Sequence, residues 1–469
     1  MSRKKELAKN TAILTFGKVC TQFVSFLLLP LYTALLETSE YGVFDLMITY
    51  GTLLLPLVNL QLDQGLFRFM LNFRGDVDKT RTLFSTVFVG SSVQCGIYVI
   101  LLTLVNQWMH LTYAVFLILY VVLQVFTAML LQFIRGLGRN KVYAMASFIS
   151  ASSNVALNVI MLVALRKGVQ GLFIATIVSH VLTIIYMCAA VKPWKYFRFS
   201  CFEKQTFSQI RKYSLPMVPN SLAWWVVNAS DRTIVSHILG VAVNGIYTVA
   251  NKFSNVFVSF YNILNLSWTE TVSLHYFDSD GDSFISDTMT SLYKLFSSAC
   301  FGIVAVMPFI FPIMIHSKYA DSYPQILILM YAMLFRVVVG LYTTIYVATK
   351  ESKKIAYTAI ASAVINIAVN LSLIGVIGLY AASLSTLVAF SVMALIRYFD
   401  INRHAKIRIE KKTILISLLV AIELAVTYYI NNLYLNLLSF VIVCAYAVIS
   451  NWSLALAGKK MLAAVLKRK

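Results

Sequence analysis

Long apolar segments recur along the whole chain, and they constrain the fold more than any other feature of the sequence. A helix needs about 20 mostly apolar residues to cross a membrane, and such segments follow one another here without a long polar region between them. Of the 469 residues, 59% are hydrophobic and 12% are charged, whereas soluble domains have about 25% charged residues. We therefore predict an all-α integral membrane protein without a sizeable soluble domain.

The apolar segments divide the chain into fourteen predicted membrane spans. They lie near residues 9–36, 42–70, 82–105, 113–135, 141–165, 168–190, 213–240, 243–271, 286–316, 320–348, 353–376, 377–399, 412–431 and 433–457. The basic N-terminal residues lead directly into the first span without a small-residue cleavage site, so we expect an uncleaved span rather than a signal peptide.

The positions of the basic residues predict the topology. With the N-terminus inside, the outer segments hold only Arg166, Lys167 and Lys318, and most of the 39 Lys and Arg residues fall on inner segments. The positive-inside rule then places both termini in the cytoplasm. The net charge of +20 thus reflects topology and attraction to lipid headgroups, and we expect no nucleic-acid partner.

Charged residues inside the predicted spans indicate a lumen. A charge at the bilayer centre costs at least about 2.5–3.5 kcal/mol, so such residues normally face a bundle interior or a watery cavity. The basic residues in these positions are Lys18, Arg68, Arg232, Lys252, Lys294 and Arg336, and the acidic ones are Asp45, Asp63, Asp231, Glu270, Asp287 and Glu423.

Some of these charges share a predicted depth. Lys18 and Asp63 can meet near the inner ends of the first two spans, and a structural salt bridge is as well supported there as a lumen role. Asp231, Arg232 and Lys252 share a depth in the seventh and eighth spans, where we expect Asp231 to pair with Lys252 and to leave one net positive charge.

The other buried charges stand apart. Arg336 lies near the middle of its span, and no carboxylate follows the second residue of that span, which favours an anionic ligand or a partner on another helix. Arg68 and Glu270 lie near inner ends, where they either snorkel to the interface or face the lumen.

Internal repeats predict a duplicated architecture. Three pairs of segments align in the same order along the chain: 40–46 with 243–249, 138–162 with 350–374, and 171–179 with 378–386. Spans 1–6 and 7–12 would then be two homologous lobes, related by a pseudo-two-fold axis along the membrane normal. We place the first lobe at 1–200, the second at 201–408, and spans 13–14 with a basic cytoplasmic tail at 409–469.

The second pair of aligned segments carries two asparagines one helical turn apart in each half. Asn154 aligns with Asn366 and Asn158 with Asn370. Residues at i and i+4 share a helix face, and we interpret these amides as interhelical hydrogen-bond partners in preference to substrate contacts.

Three segments resemble the polysaccharide flippases of the multidrug/oligosaccharidyl-lipid/polysaccharide exporter (MOP) superfamily. They are LPLYTALLETSEYGVFDL (29–46), IRKYSLPMVPNSLAWWVVNASDRTIVSHILGVAVNGIYTVANKF (210–253) and NLSWTE (265–270). The resemblance implies a V-shaped pair of six-helix lobes in a bacterial plasma membrane. It also implies that a lipid-linked oligosaccharide on undecaprenyl pyrophosphate moves from the inner to the outer leaflet by alternating access.

The resemblance further implies a cationic lumen that binds the pyrophosphate and sugar headgroup. The residues here that can supply it are Lys18, Arg68, Arg232, Lys252 and Arg336. Aromatic and amide side chains near the seventh span are candidate sugar contacts, although packing between helices is the stronger interpretation for each: Trp224, Trp225, Asn228 and Asn251.

Several functional questions stay open at the level of sequence. Asp63, Asp231 and Glu270 can each couple transport to H⁺ or Na⁺ or only pair with a base. Spans 13 and 14 contain no motif that gives them a role, and the proposed partners beyond the substrate are membrane lipids and a polysaccharide polymerase. The strongest alternative is an ion-coupled secondary transporter that exports drugs or other small amphipathic compounds, although excess lumen cations would repel organic cations.

Enzyme chemistry is not predicted. The one acidic cluster, DSDGD (278–282), lacks the spacing of a calcium loop and is interpreted as a solvated turn. The scattered cysteines show no pairing with one another or with histidines. We therefore expect no catalytic residues, no metal site and no cofactor.

Overall fold

The structure is a computed structural model that describes residues 26–73, 75–403 and 405–452. Helices account for nearly all of these residues, and no strand occurs among them, so the predicted all-α fold is confirmed. In the first half, the helices are α1 (Leu29–Leu35), α2 (Thr38–Asn59), α3 (Leu62–Asn72), α4 (Val77–Met109), α5 (Ala114–Gly136), α6 (Asn140–Val159), α7 (Gly168–Val191) and α8 (Lys204–Ser214). In the second half, they are α9 (Met217–Ile238), α10 (Val241–His275), α11 (Gly281–Met314), α12 (Tyr323–Ala348), α13 (Ser352–Ile377), α14 (Tyr380–Ile401), α15 (Lys411–Ile430) and α16 (Leu433–Ser450).

The described helices follow the predicted spans. Among the described residues, eleven helical segments are long and apolar enough to cross a membrane, which makes this a multi-pass membrane protein. Helices α9 and α10 coincide with the seventh and eighth predicted spans but are not among the eleven; they carry Asp231, Arg232 and Lys252. Most of the first predicted span lies outside the described residues.

The second predicted span differs from a continuous helix. Leu60 and Gln61 separate α2 from α3, and both have positive φ angles, 46° and 57°. The left-handed region is unfavourable for residues other than glycine, so the sequence did not indicate a break here. The break ends two residues before Asp63, whose carboxylate is buried.

The chain divides into two compact units, Met1–Ser236 and His237–Lys469. In the first unit, apolar side chains of α3, α4, α5, α7 and α8 form one core, which includes Leu66, Phe84 and Phe133. Gly65 permits the close approach of α8, because a Cβ atom at this position would collide with Ser214 and Ile210. The amphipathic helix α8 is therefore packed directly onto α3.

The first asparagine of each pair forms the same kind of contact in its unit. Asn154 Nδ2 donates to Ser179 Oγ at 3.3 Å, and Asn366 Nδ2 donates to Thr386 Oγ1 at the same distance, 3.3 Å. Ser179 and Thr386 end the third pair of aligned segments, so one hydrogen bond joins corresponding helices in both halves. This correspondence supports the duplication, and the interpretation of these two asparagines as links between helices is confirmed.

Within the second unit, buried hydroxyl groups connect helices α15 and α16 to α11. Tyr293 Oη and Ser417 Oγ lie 2.7 Å apart, and Ser297 Oγ and Tyr446 Oη are also 2.7 Å apart. Both contacts connect α11 with the last two helices. The sequence pattern did not reveal these contacts, because single Tyr and Ser residues in apolar helices are common.

Candidate functional site: charged residues within the two units

In the first unit, one face of α9 contacts the broken helix α2–α3. Gln61 Nε2 donates to Ser221 Oγ at 3.1 Å, and Trp225 Nε1 donates to the carbonyl oxygen of Thr49 at 3.1 Å. Ser221, Trp225 and Arg232 recur at spacings of four and seven residues, which places them on one helix face. Trp225, a candidate sugar contact, is thus engaged with the backbone of α2.

Arg232 forms a buried ion pair with Asp45. Its Nη1 atom lies 3.0 Å from Asp45 Oδ1 and 3.2 Å from Oδ2, and it also donates to Thr49 Oγ1 at 3.2 Å. The exposed fractions of the two charged side chains are 16% and 9%. The pair links α9 to α2 across 187 sequence positions, and a pairing at this separation could not be read from the sequence.

The sequence also predicts that Asp231 and Lys252 lie at the same depth as Arg232. Asp231 is 5% exposed, and its Oδ1 atom accepts a hydrogen bond from the backbone N–H of Arg232 at 2.9 Å. Lys252 is half-buried on α10. Pairing between Asp231 and Lys252 stays a prediction.

Asp63 is surrounded by amide donors. It is 6% exposed, Asn59 Nδ2 donates to its Oδ1 atom at 2.7 Å, and Gln64 Nε2 donates to its Oδ2 atom at 2.8 Å. Its predicted neighbour Lys18 lies outside the described residues. Burial opposes ionisation of a carboxyl group and donated hydrogen bonds support it, so Asp63 is a candidate for reversible protonation.

Arg68 and Glu270 are both exposed. Arg68 Nη1 donates to Asn72 Oδ1 on the same helix at 2.8 Å. The amides of Asn228 and Asn251 also bond within their own helices, to the carbonyl oxygens of Trp224 at 2.6 Å and of Tyr247 at 3.0 Å. The role of each of these residues toward a substrate stays a prediction.

In the second unit, Arg336 lies halfway along the 26-residue helix α12. Its guanidinium carbon is 5.9 Å from the centre of the Phe390 ring, and it interacts electrostatically with Tyr261. Tyr261 packs tightly against α12, because a Cβ atom at Gly340, one turn after Arg336, would collide with its hydroxyl group. Two aromatic side chains therefore flank the arginine at the middle of the predicted span.

A second buried arginine in this unit, near the inner end of the twelfth predicted span, was missed by the sequence analysis. Arg397 on α14 is 0% exposed. It donates to the carbonyl oxygen of Val339 at 3.1 Å, to the hydroxyl of Thr343 and to Thr358 Oγ1 at 2.8 and 3.1 Å. It forms no ion pair with any described residue, so oxygen atoms of α12 and α13 provide its hydrogen bonds.

A pattern in the sequence could have identified Arg397. Ser383, Thr386, Phe390 and Met393 precede it at helical spacing and are all buried. The same face of α14 reaches Arg397 one turn later. This arginine joins α12, α13 and α14 near the end of the span.

Glu410 lies outside the membrane-spanning segments, and its surroundings perturb its carboxyl group. The pKa of Glu410 is lowered by a hydrogen bond from Thr413 and then by Lys294, whose Nζ atom lies 3.2 Å from Glu410 Oε2. This ion pair fixes the start of α15 to α11. Among the described residues, no group of three or more His, Cys, Asp or Glu side chains is arranged to hold a metal ion.

The fold is that of membrane transporters of the MOP superfamily. The lipid II flippase MurJ in an inward closed conformation has a TM-score of 0.71 at 13% identity, with 96% of this chain and 100% of that chain covered. An inward-facing multidrug resistance transporter of the MATE family has a TM-score of 0.65 at 14% identity, with 82% and 96% covered. A MOP superfamily transporter from Pyrococcus furiosus with a binding pocket of reverse polarity has a TM-score of 0.53 at 16% identity, with 84% and 96% covered.

The sequence identifies the family. Residues 7–268 match the family described as polysaccharide biosynthesis protein, and because this match covers more than half of the 469 residues, the chain belongs to that family. No curated protein sequence matches the chain. The resemblance inferred from the three sequence segments is confirmed.

The two kinds of fold relative differ in how much of this chain they cover. The MurJ alignment leaves 4% of the chain uncovered, which is fewer residues than α15 and α16 contain. At least part of the last two helices therefore has a counterpart in that fold. The MATE alignment leaves 18% uncovered.

Proposed function

We propose that the protein translocates an undecaprenyl-pyrophosphate-linked oligosaccharide from the inner to the outer leaflet of the bacterial plasma membrane by alternating access. Membership in the polysaccharide biosynthesis protein family and the likeness to a lipid II flippase fold support this proposal. Such a substrate also requires a protein to cross the membrane, since a charged and hydrated headgroup cannot enter hydrocarbon without compensating polar contacts. The prenyl tail stays in lipid while protein side chains bind the headgroup.

The observation that supports the proposal most directly is the position of Arg336 within its helix. This arginine is located halfway along α12, and Phe390 and Tyr261 flank it. Because a charge at this depth is costly, such a residue usually has a function. A guanidinium group binds phosphate oxygens through two parallel hydrogen bonds. We assign to Arg336 the main contact with the pyrophosphate.

The other candidate lysine and arginine residues have weaker support than Arg336 as headgroup contacts. The charge of Arg232 is balanced by Asp45 at 3.0 Å, so a phosphate has to replace that carboxylate before it can bind there. Lys18, Arg68 and Lys252 remain proposed headgroup contacts. In this scheme both termini are cytoplasmic, 1–200 and 201–408 are the two lobes, and 409–469 is the appended segment.

The experiment is a headgroup-accessibility assay in reconstituted vesicles. Lipid-linked oligosaccharide is placed in the inner leaflet, and an impermeant glycosidase in the outside solution reports its arrival in the outer leaflet. Arg336→Ala removes one or two charge-assisted hydrogen bonds, each worth about 1.5–3 kcal/mol. We expect an apparent affinity at least about tenfold weaker, with partial recovery in Arg336→Lys because a lysine binds only as a point charge.

Arg408→Ala is the matched control, because Arg408 is an exposed arginine of the same unit that bonds to Asn402. It should translocate at the unchanged rate. Unchanged translocation by Arg336→Ala would remove Arg336 from the binding site. Loss of the folded Arg336→Ala protein from the membrane would show instead that this arginine is structural.

A MATE-type exporter of small amphipathic compounds is the second candidate, and the TM-score of 0.65 to a multidrug transporter supports it. The same vesicles separate the two functions. Uptake of an organic cation driven by a proton or sodium gradient, without movement of the lipid-linked oligosaccharide, would favour the exporter.

A further inference from the structure

The break between α2 and α3 is an unusual feature within a membrane span. Two consecutive non-glycine residues, Leu60 and Gln61, adopt left-handed φ angles of 46° and 57°, a conformation that is unfavourable for such residues and persists only where the surrounding structure holds it. Irregular backbone occurs at membrane depth only where it is buried in protein or lines a cavity. Side-chain contacts across the break are therefore expected to matter.

A chain of hydrogen bonds connects the two sides of the break with α4. Ser91 Oγ donates to Asn59 Oδ1 over a long 3.5 Å, Asn59 Nδ2 donates to Asp63 Oδ1 at 2.7 Å, and Gln64 Nε2 donates to Asp63 Oδ2. Ser91, Asn59 and Asp63 are 0%, 2% and 6% exposed. Every donor is directed toward the carboxyl group, which is the arrangement that an ionised Asp63 requires.

The charged groups on neighbouring helices have other contacts. Helices α4, α5 and α8 pack against α3. Arg81 pairs with Asp78, Lys79 lies over the ring of Phe73 and Arg135 over the ring of Phe67, and Tyr213 packs against Phe69. On α8, Lys204, Arg211 and Lys212 are exposed.

The remaining titratable groups of α4 and α5 lie elsewhere. Cys95, Tyr98 and Tyr120 belong to a separate apolar cluster, and Arg68 on α3 itself bonds to Asn72. Within the described ranges, no salt bridge involves Asp63.

We propose that Asp63 is a proton-binding site and that protonation reverses the hydrogen-bond chain across the helix break. A proton from water binds one carboxylate oxygen, and the new O–H group donates to Asn59 Oδ1 after the amide turns by half a rotation. Asn59 Nδ2 then donates to Ser91 Oγ, and Gln64 keeps its bond to the other oxygen. The two ends of an amide have nearly the same shape, so the reversal needs little space.

Protonation also changes the free energy of the contacts that hold the helix break in place. It removes a charge whose burial in a membrane span is costly, and it replaces charge-assisted bonds by weaker neutral ones. Because Asn59 ends α2 and Asp63 lies in the first turn of α3, both changes act on the side-chain contact that connects the two helices. The proton load should therefore alter how firmly the break is held, whatever substrate the protein carries.

The experiment follows amide hydrogen exchange of segment 56–64 as a function of pH in lipid nanodiscs, corrected for the intrinsic pH dependence of exchange. Infrared difference spectra of the same samples report the C=O band of a protonated carboxylic acid. The wild type should show a pH transition in exchange and the appearance of that band at the same midpoint. Asp63→Asn should lose both, whereas Asp78→Asn, at an exposed carboxylate of α4, should keep both.

Gln64→Leu provides a second test that does not remove the carboxyl group. It deletes one charge-assisted hydrogen bond to the ionised form, so the midpoint should move to higher pH by about one to two units. An unchanged midpoint would overturn the proposal, and so would an unchanged transition in Asp63→Asn. If Asp63→Asn does not fold, the shift of the pH midpoint in Gln64→Leu alone tests the proposal.

Lys18 is the rival explanation, because the sequence places it at a matching depth. A permanent ion pair with Lys18 would keep Asp63 ionised, and the wild type would then show neither the transition nor the carboxylic acid band. Restoration of Asp63→Asn stability by Lys18→Met would also establish the ion pair and overturn the proton site. None of these measurements uses transport, so their failure is distinct from failure of the proposed function.

Discussion

Replacing Asp45 with leucine would leave the Arg232 guanidinium in a buried position without that carboxylate. The two side chains are 9% and 16% exposed, and the shortest nitrogen–oxygen distance is 3.0 Å. Leucine fills a similar volume but accepts no hydrogen bond. Arg232→Met removes the other partner, and the double variant removes both charges together.

The magnitude follows from the geometry of the pair. Unit charges about 4 Å apart attract by about 4 kcal/mol at an effective dielectric constant of about 20. Breaking a buried pair from one side costs about 3–5 kcal/mol, whereas replacing both partners by apolar residues is far milder. We therefore expect each single variant to lose about 3 kcal/mol or more, with a coupling energy of about 2–4 kcal/mol between the two sites.

The assay is a double-mutant cycle on the free energy of unfolding, measured by reversible SDS titration in mixed micelles. The Arg81–Asp78 pair serves as the control cycle, since Asp78 is 91% exposed and an exposed pair should couple by less than about 1 kcal/mol. Coupling between Asp45 and Arg232 as small as that of the control would refute the argument. The same design tests the predicted Asp231–Lys252 pair, for which additive losses would show that the two residues are not partners.

Three further predictions concern the second unit. Gly340→Ala should lower the free energy of unfolding by about 1–3 kcal/mol, because its methyl group collides with the Tyr261 hydroxyl; Tyr261→Phe in the same chain should recover part of the loss. Arg397→Lys should be less stable than Arg397→Met in the same SDS titration, because lysine keeps a buried charge but cannot reproduce the planar array of donors. Glu410→Gln should lose a small part of the stability at neutral pH. Since hydrogen bonds and Lys294 lower the pKa of Glu410 in the folded state, that part is present above the unfolded pKa of about 4.3 and is lost as pH falls through the folded pKa. The two unfolding curves should therefore converge at low pH, and a constant difference would contradict the assignment.

The helical fold could be predicted because membrane spans require long apolar segments. Each predicted span from the second onward coincides with a described helix or helix pair, and the duplicated segments identified two residues, Asn154 and Asn366, that form the same hydrogen bond. The break at Leu60–Gln61 was missed, because neither residue is a glycine or a proline. The polar residues around it were one signal, and Pro56 within α2 was another.

The candidate site was predictable only to the level of individual charges. Burial cost alone identified Asp45, Asp63, Arg232 and Arg336 as unusual, since a charge within an apolar helix stands out at any position. Pairing is a property of the tertiary structure, so the contact between Asp45 and Arg232 could not be predicted. Arg397 was overlooked for a related reason, because a basic residue near a span end is normally expected at the interface.

The pairing of Arg232 bears on how α9 can move. The sequence repeat makes α9 the first helix of the second half, yet the compact unit that contains α2 extends to Ser236 and so includes most of α9. The contacts described above account for this, since Ser221, Trp225 and Arg232 each bond to α2 or to the break that follows it. Any motion of α9 away from α2 has to break all three, and the ion pair is the strongest of them. Asp45→Leu should therefore loosen α9 as well as lower stability, and hydrogen exchange along Met217–Ile238 would show whether the two effects occur together.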